Sequence, residues 1–231
     1  IYILLFEKGR FWPMRLEDDI TPTLFVIVAA AVWFGCSNVA REIVGERSIY
    51  RRERMRKLRP GAYLTSKLVV NGLVIMAQML ILIGCLIPMV GLHGSVWGLI
   101  GVPLLAGWSA MCIGLLVSAA SKSEVTAIQI VPLVVLPQVM LSGILVPVGG
   151  SGAAPMASFL SQPVLLRWAF SAYLNVEFAV GTPRGDKSRN LVTGGRYWEQ
   201  VGFGADELTY SLGMMGAIGL ICVVITWIIL V

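Results

Sequence analysis

Five stretches of this chain run for about twenty residues or more without a single Asp, Glu, Lys, Arg or His: residues 21–40, 68–92, 96–120, 125–147 and 209–231. An α-helix rises about 1.5 Å per residue, so about 20 apolar residues cross the ~30 Å hydrocarbon core of a bilayer. Each stretch predicts a spanning helix. Thr21-Pro22 marks the start of the first, a capping residue followed by a proline where the amide would have no intrahelical partner. Residues 1–6 are apolar but too short to span, and are expected to be the tail of a sixth helix that begins upstream. Residues 153–160 and 164–180 are also apolar, but too short, or interrupted by Arg167 and Glu177, to cross. They predict interfacial or re-entrant helices packed at the outer surface within a long loop, 148–207. Residues 181–195 are polar and glycine-rich, which predicts surface turns. The expected fold is an all-α polytopic membrane helix bundle, one domain over residues 1–231.

Composition agrees with the pattern. Of the 231 residues 57% are hydrophobic and 13% charged, against about 25% charged in soluble domains. A soluble globular domain is excluded, and so is disorder. The net charge of +5 is not spread over the chain. Residues 41–67 hold nine basic and three acidic residues, net +6, so the remainder sums to −1. Burying such a segment would cost about 2.5–3.5 kcal/mol for each cation, so it lies in water, and the positive-inside rule assigns it to the cytoplasm. The C-terminus is then cytoplasmic, residues 92–95 form an external turn, residues 121–124 an internal one, and residues 7–20 and 148–207 lie outside. A charged patch confined to one membrane loop does not indicate nucleic acid. Cys36, Cys85, Cys112 and Cys222 fall inside apolar runs with no metal-ligand spacing and read as small hydrophobes; no metal site is expected.

Several function classes lose support. Ion-coupled carriers place ionisable groups at membrane depth, and the five spans contain none. A membrane enzyme needs a nucleophile with its base, or metal ligands; the one histidine, His93, stands in a predicted turn away from other candidates. Residues 181–188, GTPRGDKS, fail as a phosphate loop because Asp186 breaks the required Gly-Lys-Ser/Thr order. A bundle without internal charge moves solute only if another protein domain supplies the work. Contact with that domain belongs on the basic loop, where residues 46–59 have helical composition up to a break at Pro60-Gly61.

Within that loop, Glu46-Arg47-x-x-Tyr50-x-Arg52-Glu53, followed by Gly61-Ala62-Tyr63 and Lys67-Leu68, resembles the E-R-x-x-F/Y-x-R-E…Y…K-L signature of the ABC transporter G subfamily. A second stretch is similar to the same family. Residues 141–147, LSGILVP, followed by Leu166-Arg167-Trp168 and Asn175-Val176-Glu177-Phe178, resemble its F-S-G-L-L-V and P-x-R-Y/W…N-E-F patterns. Pro147 departs from the family, which often has a polar residue there, and the outer loop lacks the cysteines of eukaryotic members. A bacterial member, in the inner membrane, is implied.

The resemblance implies the transmembrane domain of a type-2 ABC exporter. Such a domain pairs with a second transmembrane half, as a homo- or heterodimer, and is driven by a nucleotide-binding domain that holds ATP and Mg²⁺. That domain is expected upstream in a longer polypeptide; no cofactor is expected on this segment. Glu46, Arg47, Tyr50, Arg52 and Glu53 are the implied coupling residues. Phe34, Leu136 and Val139 are implied in the substrate cavity, and Ile144 and Leu145 in its outer gate, for an apolar or amphipathic solute. Gly213, Gly216 and Gly219 on one side of the last span suggest close helix approach. The alternative is a non-transporting scaffold or sensor whose basic loop binds anionic lipid or a cytoplasmic partner.

Overall fold

The computed structural model describes residues 21–90, 95–146, 148, 155–180 and 208–231, and among these it is an all-α membrane bundle. The helices are α1 (Thr21–Val39), α2 (Glu42–Gly45), α3 (Arg47–Met55), α4 (Pro60–Val90), α5 (Val96–Ala120), α6 (Glu124–Met140), α7 (Pro155–Leu160), α8 (Leu165–Val180) and α9 (Leu208–Leu230). Four helical segments are long and apolar enough to cross a membrane: Thr21–Gly45, Pro60–Ile87, Val96–Ala120 and Leu208–Leu230. The expected helix tail at residues 1–6, His93 and residues 181–195 lie outside the described residues.

Two boundaries differ from the sequence expectation. The second span begins at Pro60 rather than near Leu68. Proline lacks an N–H and is suited to the first helical position, so Pro60-Gly61 opens the helix instead of merely ending the preceding one. The stretch 125–147 is not one long helix: α6 has 17 residues, about 26 Å, and closes at Leu141, whose N–H donates to Pro137 O at 2.9 Å. The chain then bends through Ser142 and Gly143, whose φ of 98° is a left-handed conformation that glycine adopts without strain.

The core is built on α1 and α5, which pack more extensively than any other pair. Glycines permit the contact. A Cβ on Gly35 would lie against Gly107 O and 2.7 Å from Ala110 Cβ, and one on Gly114 would lie 2.6 Å from Cys36 O. The two backbones approach that closely, and Cys36 Sγ donates to Ala110 O at 3.2 Å across the seam. In α9, only Gly219 is at a close approach, 3.1 Å from Ser109 Oγ; Gly213 and Gly216 face open space, contrary to the expectation of a three-glycine seam. Cys36 and Cys112 are buried as expected, whereas Cys85 faces outward from α4.

Helix α8 is not an interfacial helix resting on the surface. Every residue from Leu165 to Glu177 is buried. Phe170 meets Phe25 of α1 edge-on at 5.5 Å, Trp168 meets Tyr210 of α9 at 5.3 Å, and Val176 packs on Gly98 of α5. All three partners lie near the starts of their helices, so α8 closes the end of the bundle opposite residues 41–67. Two of its polar side chains make local contacts: Arg167 Nη1 donates to Ser161 Oγ, with the guanidinium 5.2 Å from the Trp168 ring, and Asn175 Nδ2 donates to Ser171 O at 2.9 Å. Arg167 and Glu177 interrupt the apolar run, which excludes a span but leaves an interfacial and a re-entrant helix both open; the burial fits the second.

Candidate functional site

At the basic end, the chain leaves α1 through a short elbow, α2, and turns into α3. Ser118 Oγ near the end of α5 accepts the N–H groups of Ile43 and Val44, at 3.0 and 3.1 Å. These amides belong to the first turn of α2, where no intrahelical carbonyl is available. One hydroxyl therefore pins the elbow to the core span. Ser118→Ala is expected to leave two buried donors unpaired, at a cost of about 1–3 kcal/mol, seen as a lowered thermal midpoint of the detergent-purified full chain; an unchanged midpoint would sink the assignment.

Of the five coupling candidates, three turn inward. Arg47 Nη2 donates to Ala119 O at 2.5 Å, and Tyr50, buried, donates to Leu230 O at 3.0 Å. Arg54, one turn on from Tyr50, donates to the same carbonyl at 2.6 Å. Glu46 accepts Lys67 Nζ at 2.7 Å and Tyr63 Oη at 3.1 Å, while Lys67 also donates to Glu42 at 2.8 Å. The Tyr63 and Tyr50 rings lie 4.7 Å apart. Glu42, Glu46, Tyr63 and Lys67 thus brace the elbow against the first turns of α4. The hydrogen bond from Lys67 holds the Glu46 carboxyl below the ordinary glutamate range. A depressed folded-state pKa contributes stability above the unfolded value and loses it as pH falls through the folded one, so the contribution of Glu46 to the brace is present at neutral pH and is lost in acid.

Arg52 and Glu53 remain on the open side of α3. With Tyr50 facing the bundle, a 100° advance per residue turns Ser48, Arg52 and Met55 outward, with Ile49 to one side of them and the exposed Glu53 beyond it. Met55 is 80% exposed and Ile49 47%. Two exposed apolar side chains beside Arg52 and Glu53 form a small mixed surface of the kind that partners bury. The sequence reading missed Ile49 and Met55, although setting Tyr50 inward on a helical wheel would have found them.

The other candidates do not converge on an enclosed space within one chain. Phe34 is partly exposed on α1, beside Trp33 and away from the face that packs on α5. Leu136 belongs to an exposed apolar stripe of α6 with Val125, Ile128, Leu133 and Met140. Val139 is half-buried and packs on the core, as does Ile144, while Leu145 is exposed beyond the Gly143 bend. Helices α1 and α6 are in contact.

Residues 3–178 match the ABC-2 type transporter family over most of the chain. The chain belongs to that family. The ABC-2 domain is also similar to the ABC transporter ATP-binding/permease protein Rv1747 of Mycobacterium tuberculosis, at 28% identity over 159 residues. The aligned part covers 64% of this chain and 18% of that relative's length. The region matched to the family contains the elbow, α3, the Lys67 brace and most of α8. In this ABC-2 domain the two signatures therefore have physical content: the first is largely the brace and anchors of α3, and the second largely the buried helix α8.

Proposed function

We infer that this is the transmembrane domain of an ATP-driven exporter, in which α3 receives motion from a nucleotide-binding domain on the cytoplasmic side. The observation that supports this best is the anchoring of one short helix unit to α4 through Lys67 and Tyr63, to α5 through Ser118 and Ala119, and to α9 through Leu230. A push on the open face of α3 would reach three spans at once. The relative's name, ATP-binding/permease, favours an ATPase in the same polypeptide. That ATPase would hold ATP and Mg²⁺, with no cofactor on these residues.

The outward apolar positions of α1 and α6, Phe34 and Leu136 among them, fit a cavity formed with a second transmembrane half. Val139 would border it, and Ile144 and Leu145 would close its outer end by excluding water. An uncharged lining suits an apolar or amphipathic solute. The full polypeptide in proteoliposomes is expected to hydrolyse ATP and to move a lipophilic dye only when ATP is on the α3 side. Phe34→Ala is expected to change the dye's stimulation of ATPase activity. Hydrolysis without any dye movement across a panel of lipophilic probes would overturn the exporter reading.

A further inference from the structure

The turn between α3 and α4 carries charges that neither the brace nor the open face of α3 absorbs. Lys67, Arg47 and Arg54 are engaged with carboxylates or backbone carbonyls, whereas Arg56, Lys57 and Arg59 are exposed and in none of the ion pairs among the described residues. The turn is well defined: Leu58 N donates to Glu53 O at 3.2 Å, and Lys57 adopts φ 72°, which reverses the chain. Three cations are thereby held together within four residues.

Their position relative to α4 is informative. Arg59 O accepts Tyr63 N, which makes Arg59 the residue at the head of the helix. Counting three, seven, eleven and fourteen residues on places Ala62, Ser66, Val70 and Leu73 beneath it, all exposed, with Leu73 at 58% and Val70 at 60%. Helix α4 is more open than α1 or α5. A cationic turn stands above an apolar stripe that the chain does not cover. That is the charge and polarity profile of a phospholipid, anionic at the head and apolar below it.

We propose that Arg56, Lys57 and Arg59, with the Val70–Leu73 stripe of α4, bind an anionic phospholipid of the cytoplasmic leaflet. Its phosphate lies against the turn and an acyl chain along α4. The charge match selects the headgroup, since each cation near an anionic leaflet favours association by about fivefold, about 1 kcal/mol. The stripe distinguishes this site from a diffuse surface attraction. It stands apart from the coupling reading, because the lipid need not touch the open face of α3.

The test uses the full polypeptide in nanodiscs and compares immobilisation of spin-labelled phosphatidylglycerol with that of spin-labelled phosphatidylcholine by electron spin resonance. The wild type is expected to prefer phosphatidylglycerol, less so as salt rises, because exposed charges are screened. Arg56→Gln, Lys57→Gln and Arg59→Gln together are expected to abolish the preference, while Arg56→Lys with Arg59→Lys retains it. A wild-type preference that is absent or indifferent to salt overturns the proposal without any variant. So does a triple variant that keeps the preference but loses coupled ATPase activity, which would assign these cations to the ATPase surface.

Discussion

Gly35→Val is expected to remove most of the folded protein, whereas Gly213→Val is expected to leave it intact. Both replace a glycine by the same β-branched residue inside a spanning helix, so propensity and hydrophobicity change equally. They differ in what the new side chain meets. At Gly35 a Cβ alone would press on Gly107 O and stand 2.7 Å from Ala110 Cβ, and the carbonyl belongs to backbone that no rotamer change can move. At Gly213 nothing lies within 4 Å. To admit valine, α1 and α5 must separate along the most extensive interface in the domain, and the Cys36–Ala110 bond at 3.2 Å opens with them. Overpacking usually costs about 1–3 kcal/mol, occasionally more. A clash with backbone puts this case at the upper end, enough to unfold a marginally stable protein. Fluorescence-detected size-exclusion profiles and thermal midpoints of the two variants make the comparison, and equal midpoints would show the α1–α5 seam to be misassigned.

That seam also shows why part of the architecture was legible in the sequence and part was not. Charge-free runs of membrane length announce helices whatever they pack against, so the spans and the basic loop could be read directly. Which glycines make contact depends on the partner helix, and the row Gly213, Gly216, Gly219 looks more like a packing motif than Gly35 does. Only Gly219 meets a neighbour closely. Likewise the length of α6 turns on the backbone at Gly143, and the burial of α8 on three partners that are distant in sequence. Signature residues pointed to the unit around α3 but could not divide it. Glu46, Arg47 and Tyr50 are engaged inward, whereas Arg52 and Glu53 stay outside, a distinction set by the anchors on Ala119, Lys67 and Leu230.

The division leads to an expected separation of function. Ile49→Ala with Met55→Ala, and independently Arg52→Glu, are expected to lower substrate-stimulated ATPase activity and export by about tenfold or more while leaving the thermal midpoint nearly unchanged. Exposed positions away from packed features usually change stability by less than about 0.5 kcal/mol, and Met55 is 80% exposed. Truncating an anchor at a protein interface costs more than about 1 kcal/mol where the residue is buried by the partner, and reversing a charge opposite a complementary one adds repulsion. Lys67→Met acts on the other side of the same unit. It removes the cation shared by Glu42 and Glu46 at 2.8 and 2.7 Å, leaving two carboxylates near each other beside the elbow. Coupling and thermal stability should then fall together. If the open-face variants lowered the midpoint as much as Lys67→Met did, α3 would be a structural strut with no docking role. If they kept full stimulated activity, the ATPase would engage this domain elsewhere.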